Sequence, residues 1–220
     1  MGGADSVDAG AGVDRLFINY AAMTSNVTGG VAGGNFGTGY VGHIADLLGS
    51  SVDFQGSESF TITSGSGNDM LTTGDGADVL HGGAGNDQLN GGGGHDVLYG
   101  DAGADSLRGG LGNDALTGGS GADVFIFATI AETGTAGGHD VITDFIVGSD
   151  RIDLAGIDAN ANLAGNQAFH FIGSAGFSST AGELHYAGGM ISGDVNGDGV
   201  ADFTIEVGAL SGLTLNDFIL

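Results

Sequence analysis

Gly82-Gly83-Ala84-Gly85-Asn86-Asp87-Gln88-Leu89-Asn90 is followed without a gap by Gly91-Gly92-Gly93-Gly94-His95-Asp96-Val97-Leu98-Tyr99. Both stretches read G-G-x-G-x-D-x-U-x, where U is a large apolar residue. The unit repeats seven times over residues 64–126, with aspartate sixth (Asp69, Asp78, Asp87, Asp96, Asp105, Asp114, Asp123) and an apolar residue eighth (Leu71, Leu80, Leu89, Leu98, Leu107, Leu116, Phe125). A flexible Gly/Asp linker has no reason to hold leucine in such a register, so the period specifies a fold.

The unit divides into turn and strand. Gly, Asn and Asp in its first six places enter left-handed backbone regions at low cost, and three residues centred on leucine make a very short strand. Side chains alternate along a strand, so an inward leucine leaves positions seven and nine facing out, where Val79, His81, Gln88, Asn90, Arg108 and Thr117 stand. One large apolar side chain per unit contributes about 1.5–3 kcal/mol. Ordering the backbone costs about 1–2 kcal/mol for every residue. Units must therefore stack to bury a core, and a source of stabilisation other than burial is required.

Composition points to that source. The chain has 220 residues, 27 of them acidic against 3 basic, with no Cys and no Pro; 4 of the acids are Glu, which leaves 23 Asp. Arg15, Arg108 and Arg151 are the only basic residues apart from six scattered histidines. A chain of this charge repels itself and excludes a basic nucleic-acid surface. Short Asp carboxylates beside glycine-turn carbonyls can face one hard cation. Calcium accepts six to eight oxygens in flexible geometry, magnesium demands tighter octahedral order, and softer metals would need Cys or clustered His.

The nonapeptide resembles that of the RTX family of calcium-binding repeats. The resemblance implies an all-β, right-handed parallel β-roll, a nonapeptide solenoid in which two units complete one turn, so that each Asp stacks on the Asp 18 residues later. It also implies that one turn gives oxygens from positions two, four and six and the next turn gives positions one, three and six. Carried onto this chain, Gly65, Gly67 and Asp69 would share an ion with Gly82, Ala84 and Asp87, while Gly74, Gly76 and Asp78 would share one with Gly91, Gly93 and Asp96. Gly83, Gly85 and Asp87 would face Gly100, Ala102 and Asp105, and Gly92, Gly94 and Asp96 would face Gly109, Leu111 and Asp114. The last of five sites would join Asp101, Gly103 and Asp105 to Gly118, Ser120 and Asp123. Asp101 departs from the glycine usual at position two but need lend only its carbonyl.

Around the roll, the expected organisation is a first repeat block at 1–17, an intervening β-rich segment at 18–63, the seven nonapeptides at 64–126 and a β-sandwich-like cap at 127–220. Gly3-Ala4-Asp5-Ser6-Val7 and Gly12-Val13-Asp14-Arg15-Leu16 repeat G-x-D-x-U nine residues apart but out of phase with the main array, so the chain opens inside a repeat. Ser51-Val52-Asp53-Phe54 and Ser59-Phe60-Thr61-Ile62-Thr63 alternate as strands, and Ile44-Ala45-Asp46-Leu47-Leu48 reads as one helical turn.

After residue 126, strand-like runs such as His139-Asp140-Val141-Ile142 and Glu183-Leu184-His185-Tyr186 replace the glycine turns. In order and spacing, residues 64–220 resemble the C-terminal domain of serralysin-type secreted metalloproteases. That resemblance implies type I secretion, with the terminal Asp217-Phe218-Ile219-Leu220 similar to its C-terminal signal. Within the cap, Asp194, Asn196, Asp198 and Asp202 lie in a D-x-N-x-D-G-x-x-D run that resembles half of an EF-hand loop, although Ile205 stands where the twelfth-position Glu would be. A plain Asn-Gly/Asp-Gly hairpin is the other reading of these residues.

Catalysis has no motif to rest on. No HExxH, GxSxG or cysteine nucleophile occurs, and none of His43, His81, His95, His139, His170 or His185 has a histidine four residues away. No signal peptide or membrane span is visible. Calcium sites of the extracellular type, with dissociation constants of about 10⁻⁴–10⁻³ M, fill only outside the cell. The sequence therefore describes a secreted, non-catalytic domain at the C-terminus of a larger extracellular protein. Its expected partners are several calcium ions and the type I secretion machinery, with no nucleic acid. Binding of a polysaccharide or cell surface, as an adhesin or an accessory module of a secreted hydrolase or epimerase, is the alternative.

Overall fold

A computed structural model describes residues 4–8, 14–35, 39–46, 51–57, 59–134 and 138–220. The N-terminal part supplies β1 (Ala4–Asp8), β2 (Arg15–Asn19), β3 (Val27–Asn35), β4 (Gly39–Asp46), β5 (Ser51–Ser57) and β6 (Ser59–Thr63). The repeats supply β7 (Met70–Thr72), β8 (Val79–His81), β9 (Gln88–Gly94), β10 (Val97–Tyr99), β11 (Ser106–Gly112), β12 (Ala115–Thr117) and β13 (Val124–Ile126). Beyond them come β14 (Asp140–Ile142), β15 (Arg151–Asp153), β16 (His170–Phe171), β17 (Glu183–Ala187), β18 (Met190–Asp194), β19 (Phe203–Glu206) and β20 (Phe218–Ile219).

Successive repeat strands fall on opposite sheets. One sheet runs β1-β5-β4-β3-β7-β9-β11-β13-β15-β20 and the other β16-β17-β18-β19-β14-β12-β10-β8-β6-β2. All pairs within the roll are parallel. Leu71 sits beside Leu89, Leu89 beside Leu107 and Leu107 beside Phe125, while Leu80 sits beside Leu98 and Leu98 beside Leu116. The helical turn is thus 18 residues, as the pairing of alternate repeats requires, and the fold is a parallel β-roll. The seven inward residues are at most 2% exposed, so the two leucine files form the dry interior between the sheets.

The register outlasts the repeats. Ile142 continues one apolar file beside Leu116, and Ile152 followed by Phe218 continues the other beside Phe125. The cap therefore extends both sheets of the roll, adding the antiparallel meander β17-β18-β19 to one of them. At the other end, β3, β4 and β5 form an antiparallel meander whose β3 docks on β7.

The helical turn expected at 44–48 is not formed. Ile44, Ala45 and Asp46 finish strand β4, with Ile44 fully buried, whereas Leu47 and Leu48 lie outside the described residues. Pairing to strands on both sides decides the conformation there over local preference.

Candidate metal centres in the repeat turns

Each roll aspartate stands at the end of its turn, immediately before the strand residue that enters the ladder. Its carbonyl accepts from the next layer, as Asp69 O does from Gln88 N at 2.8 Å and Asp96 O from Ala115 N at 2.9 Å. Its N–H donates to the carboxylate one turn further on. Asp69 N reaches Asp87 Oδ1 at 2.7 Å, Asp78 N reaches Asp96 at 2.9 Å, Asp87 N reaches Asp105 at 2.8 Å, Asp96 N reaches Asp114 at 2.8 Å and Asp105 N reaches Asp123 at 2.9 Å. The five stacked pairs expected from the 18-residue turn are all brought together, in two columns, one at each edge of the roll.

The second carboxylate oxygens carry the chemistry. Oδ2 of Asp78, Asp87, Asp96, Asp105, Asp114 and Asp123 is buried without a hydrogen-bond partner. Burial raises the Asp78 carboxyl to about 6, Asp87 to about 7, Asp96 to about 8 and Asp105 to about 6, with neighbouring carboxylates adding to the rise for the last three and backbone donors opposing it. Asp114 and Asp123 are also raised, first by burial. An unpaired buried carboxylate is costly, and files of them are stable only when protonated or matched by cations.

The surrounding backbone fits a hard cation. A Cβ on Gly100, at position one, would lie 2.5 Å from Asp105 Oδ2 and 2.5 Å from Gly118 O, so this carboxylate oxygen and the next turn's position-one carbonyl converge on one small space. Position four is equally closed, since a Cβ on Gly103 (φ 146°) would collide with the carbonyl of Gly85 in the turn before. Asp101 takes the left-handed conformation at position two, φ 71°, as Gly83, Gly92, Gly110 and Gly119 do in their turns. Among the described residues no three His, Cys, Asp or Glu side chains cluster to hold a metal.

Not every expected carbonyl is equally placed. Those of Gly65, Gly74, Gly83 and Asp101 at position two accept from the N–H groups of Ala84, Gly93, Ala102 and Ser120, and the carbonyls of Gly93, Ala102 and Ser120 at position three accept from Gly76, Gly85 and Gly103. The first two turns differ further. Ser64 and Thr73 replace glycine at position one, and their hydroxyls donate to Gly82 O at 2.6 Å and Gly91 O at 2.7 Å. A proton donor thus already touches the position-one carbonyl of the next turn, which in later turns borders the same small space as an aspartate Oδ2. Asp69 Oδ2 also accepts from Gly65 N at 3.3 Å.

Three features escaped the sequence reading. Asp140 and Asp150 extend the columns, accepting from Asp114 N at 2.8 Å and Asp123 N at 3.1 Å. The signal was present, because Asp140-Val141-Ile142 and Asp150-Arg151-Ile152 keep D-x-U after the nonapeptide spacing is lost. At the top the columns end on Val27 and Phe60, whose N–H groups donate to Asp69 and Asp78. A second ladder runs at position five, where Asn68 Oδ1 accepts from Asn86 N, Asn86 Oδ1 from Ala104 N, and His95 Nδ1 from Asn113 N.

Elsewhere the acidic motifs are self-contained. Asp194 accepts from Gly197 N and Gly199 N, Asp202 from Val195 N and the Asn196 amide, Asn196 Oδ1 from Asp198 N, and Asp198 Oδ1 from Val200 N. These bonds make a tight hairpin between β18 and β19. Asp5 lies in β1 and Asp14 just ahead of β2, whose Leu16 pairs with Phe60, so the N-terminal block stands out of step with the Asp78 column. No helix among the described residues is long and apolar enough to cross a membrane.

No curated protein matches the chain. It is similar to the solution structure of the AlgE6R3 subunit from the Azotobacter vinelandii mannuronan C5-epimerase, with 28% identity over 66% of this chain and 77% of that one and a TM-score of 0.46. The family model of the RTX calcium-binding nonapeptide repeat matches residues 1–17, 63–98 and 90–125. The chain therefore carries the RTX calcium-binding nonapeptide repeat over residues 1–17 and 63–125.

Proposed function

We propose that this chain is a calcium-responsive folding domain, non-catalytic in itself, of a protein exported by type I secretion. The observation that carries the reading is the set of buried, partnerless Oδ2 atoms in the two aspartate columns. Calcium would supply the positive charge those columns lack, and each ion bound only by the stacked form shifts the folding equilibrium toward it. The ligands are the two aspartates of each stacked pair with turn carbonyls as assigned above. The hairpin of Asp194, Asn196, Asp198 and Asp202 is a further candidate whose backbone already fixes its carboxylates.

The C-terminal residues fit the same reading. Asp217 is buried, accepting from Gly148 N at 2.7 Å, and Phe218 enters β20 beside Ile152. A signal made of these residues is legible only before the cap folds, which calcium-poor cytosol would favour.

An anionic-polymer surface has less support. Arg108 holds both Glu132 oxygens, Arg151 donates to Phe218 O, and Arg15 is engaged with Ser59 and Ala77 O. The test is far-UV circular dichroism of the chelated chain while calcium is raised from micromolar to about ten millimolar, a range spanning extracellular-type sites, with magnesium alongside. A cooperative gain of β signal with calcium alone is expected. A chain already folded in chelator and indifferent to calcium would overturn the reading.

A further inference from the structure

Five of the seven nonapeptides begin with glycine, and two do not. A Cβ on Gly82, Gly91, Gly100, Gly109 or Gly118 would fall against Oδ2 of the aspartate five residues on. On Gly82 and Gly91 it would also lie 2.8 Å from the position-one carbonyl of the next turn, Gly100 O or Gly109 O. A cation bridging two turns would need that same small space, because calcium takes its oxygens at about 2.3–2.6 Å. The first two nonapeptides begin instead with Ser64 and Thr73, which bring the side chain that glycine lacks.

Both side chains lie in that space. Ser64 Oγ donates to Gly82 O at 2.6 Å and stands 2.9 Å from His81 O, and Thr73 Oγ1 donates to Gly91 O at 2.7 Å. Ser64 and Thr73 are 1% and 5% exposed. The aspartates of these two turns also differ from the later ones. Asp69 accepts from Val27 N at 2.6 Å through Oδ1 and from Gly65 N at 3.3 Å through Oδ2, so both oxygens are met by backbone donors.

Asp78 has another kind of partner. Burial raises its carboxyl, while the Phe60 N–H, the nearby Thr73 hydroxyl and the positive charge of Arg15 act against the rise. Thr73 spends its proton on Gly91 O, so Asp78 Oδ2 itself has no donor, but an arginine supplies positive charge there. For Asp87, Asp96 and Asp105 burial is again the largest influence, and the charges acting on them are other carboxylates. Their Oδ2 atoms have no hydrogen-bond partner, and the residue at position one of their turns is glycine.

We propose that Ser64 and Thr73 close the first two of the five repeat spaces to calcium, their hydroxyls standing where a cation would bridge the turns. The nonapeptides then hold three ions, between Asp87 and Asp105, Asp96 and Asp114, and Asp105 and Asp123. This inference rests on the calcium reading of the roll and narrows it from five pairs to three. It adds that the end of the roll joined to β3 and β6 is held by hydroxyl and N–H donors at any calcium level, and that metal-dependent order begins one turn further in.

Anomalous diffraction from calcium-grown crystals of the unaltered full chain locates the ions. Density is expected in the three spaces named and not between Asp69 and Asp87 or between Asp78 and Asp96. Density in either of those two overturns the proposal, whereas none in any of the five removes the calcium reading beneath it. Ions bound per chain, counted by native mass spectrometry and equilibrium dialysis, give a second readout. Combining Ser64→Gly with Thr73→Gly opens both spaces and should add two ions to the count of the unaltered chain. A count no higher than that of the unaltered chain overturns the proposal, and if the double variant fails to fold in calcium the crystals of the unaltered chain decide.

Discussion

Asp114 Oδ1 accepts from the backbone N–H of Asp96 at 2.8 Å, while Oδ2 of the same carboxylate is buried with no donor. One side chain therefore links two turns and also carries the unmet charge of the layer. The link is available at any calcium level, but the charge is not tolerated without a proton or a cation. The predictions that follow separate these two roles.

Protonation should partly replace calcium. Asp78, Asp87, Asp96, Asp105 and Asp140 rise from 3.8 to about 6, 7, 8, 6 and 8 in the fold, so each binds its proton more tightly folded than unfolded. Stability from these groups is full below the unfolded value and is lost as pH climbs through roughly 6 to 8. In chelator, the β signal and thermal midpoint should be higher at pH 5 than at pH 8. Calcium binding near neutral pH should release protons, visible as a buffer-dependent heat in calorimetry. A chelated chain with the same spectrum and midpoint at both pH values would contradict the assignment of buried neutral carboxyls.

Position one should tolerate nothing larger than glycine in the later turns. Gly100→Ala places a methyl 2.5 Å from both Asp105 Oδ2 and Gly118 O, an overpacking expected to cost about 1–3 kcal/mol. The calcium midpoint should rise and the melting temperature in saturating calcium should fall. Ser64→Gly removes a hydroxyl bond to Gly82 O instead and should cost about 0.5–1.5 kcal/mol. If Gly100→Ala melts and binds like the unaltered chain, the crowding inferred at this carbonyl is wrong.

The leucine files should be sensitive at every level of calcium. Leu98 is 0% exposed between Leu80 and Leu116, and Leu98→Ala should lose about 2–5 kcal/mol. Thermal unfolding at fixed, saturating calcium reads this directly. A loss below about 1 kcal/mol would mean that the roll collapses around the gap far more readily than packed interiors do.

Arg108 and Glu132 form the bidentate pair between β11 and the 3-10 helix Ile130–Glu132, at 2.9 and 2.6 Å. The Arg108 guanidinium, against the opposing effect of burial, holds the Glu132 carboxyl below its ordinary value. Arg108 is partly exposed, so Arg108→Ala should cost about 1–3 kcal/mol, mostly by stranding the buried carboxylate. Replacing both residues with apolar ones should recover most of the loss. A double-mutant cycle on melting temperatures would show no coupling if the pair were incidental.

The periodic part of this molecule was legible because one residue type, aspartate, and one apolar position recur at a fixed interval. From that came the strands and the inward apolar files, while the 18-residue turn and the stacked pairs came from the resemblance to the RTX nonapeptide. Legibility failed where the interval changed: Asp140 and Asp150 lie 26 and 27 residues after the partners whose N–H groups they accept, and a search for nines passes over them. Asn68 and Asn86 looked like ordinary turn residues, since composition does not separate a turn-former from a side chain reaching the next layer. The segment Ile44–Asp46 is strand because β3 and β5 flank it, a partner relation that local propensity does not encode.

Alternation of successive nonapeptides between two sheets gives the array a parity. The hairpin strands β3, β4 and β5 extend one sheet, and the meander β17, β18 and β19 extends the other. Excising a single unit, such as residues 82–90, would send every later strand to the opposite sheet and bring both attachments onto the same side of the molecule. Excising two, residues 82–99, would leave the sides unchanged and shorten the roll by one strand spacing, roughly 4.8 Å. Length in this architecture changes freely only in even steps, and an odd step acts as a half-rotation of one end against the other.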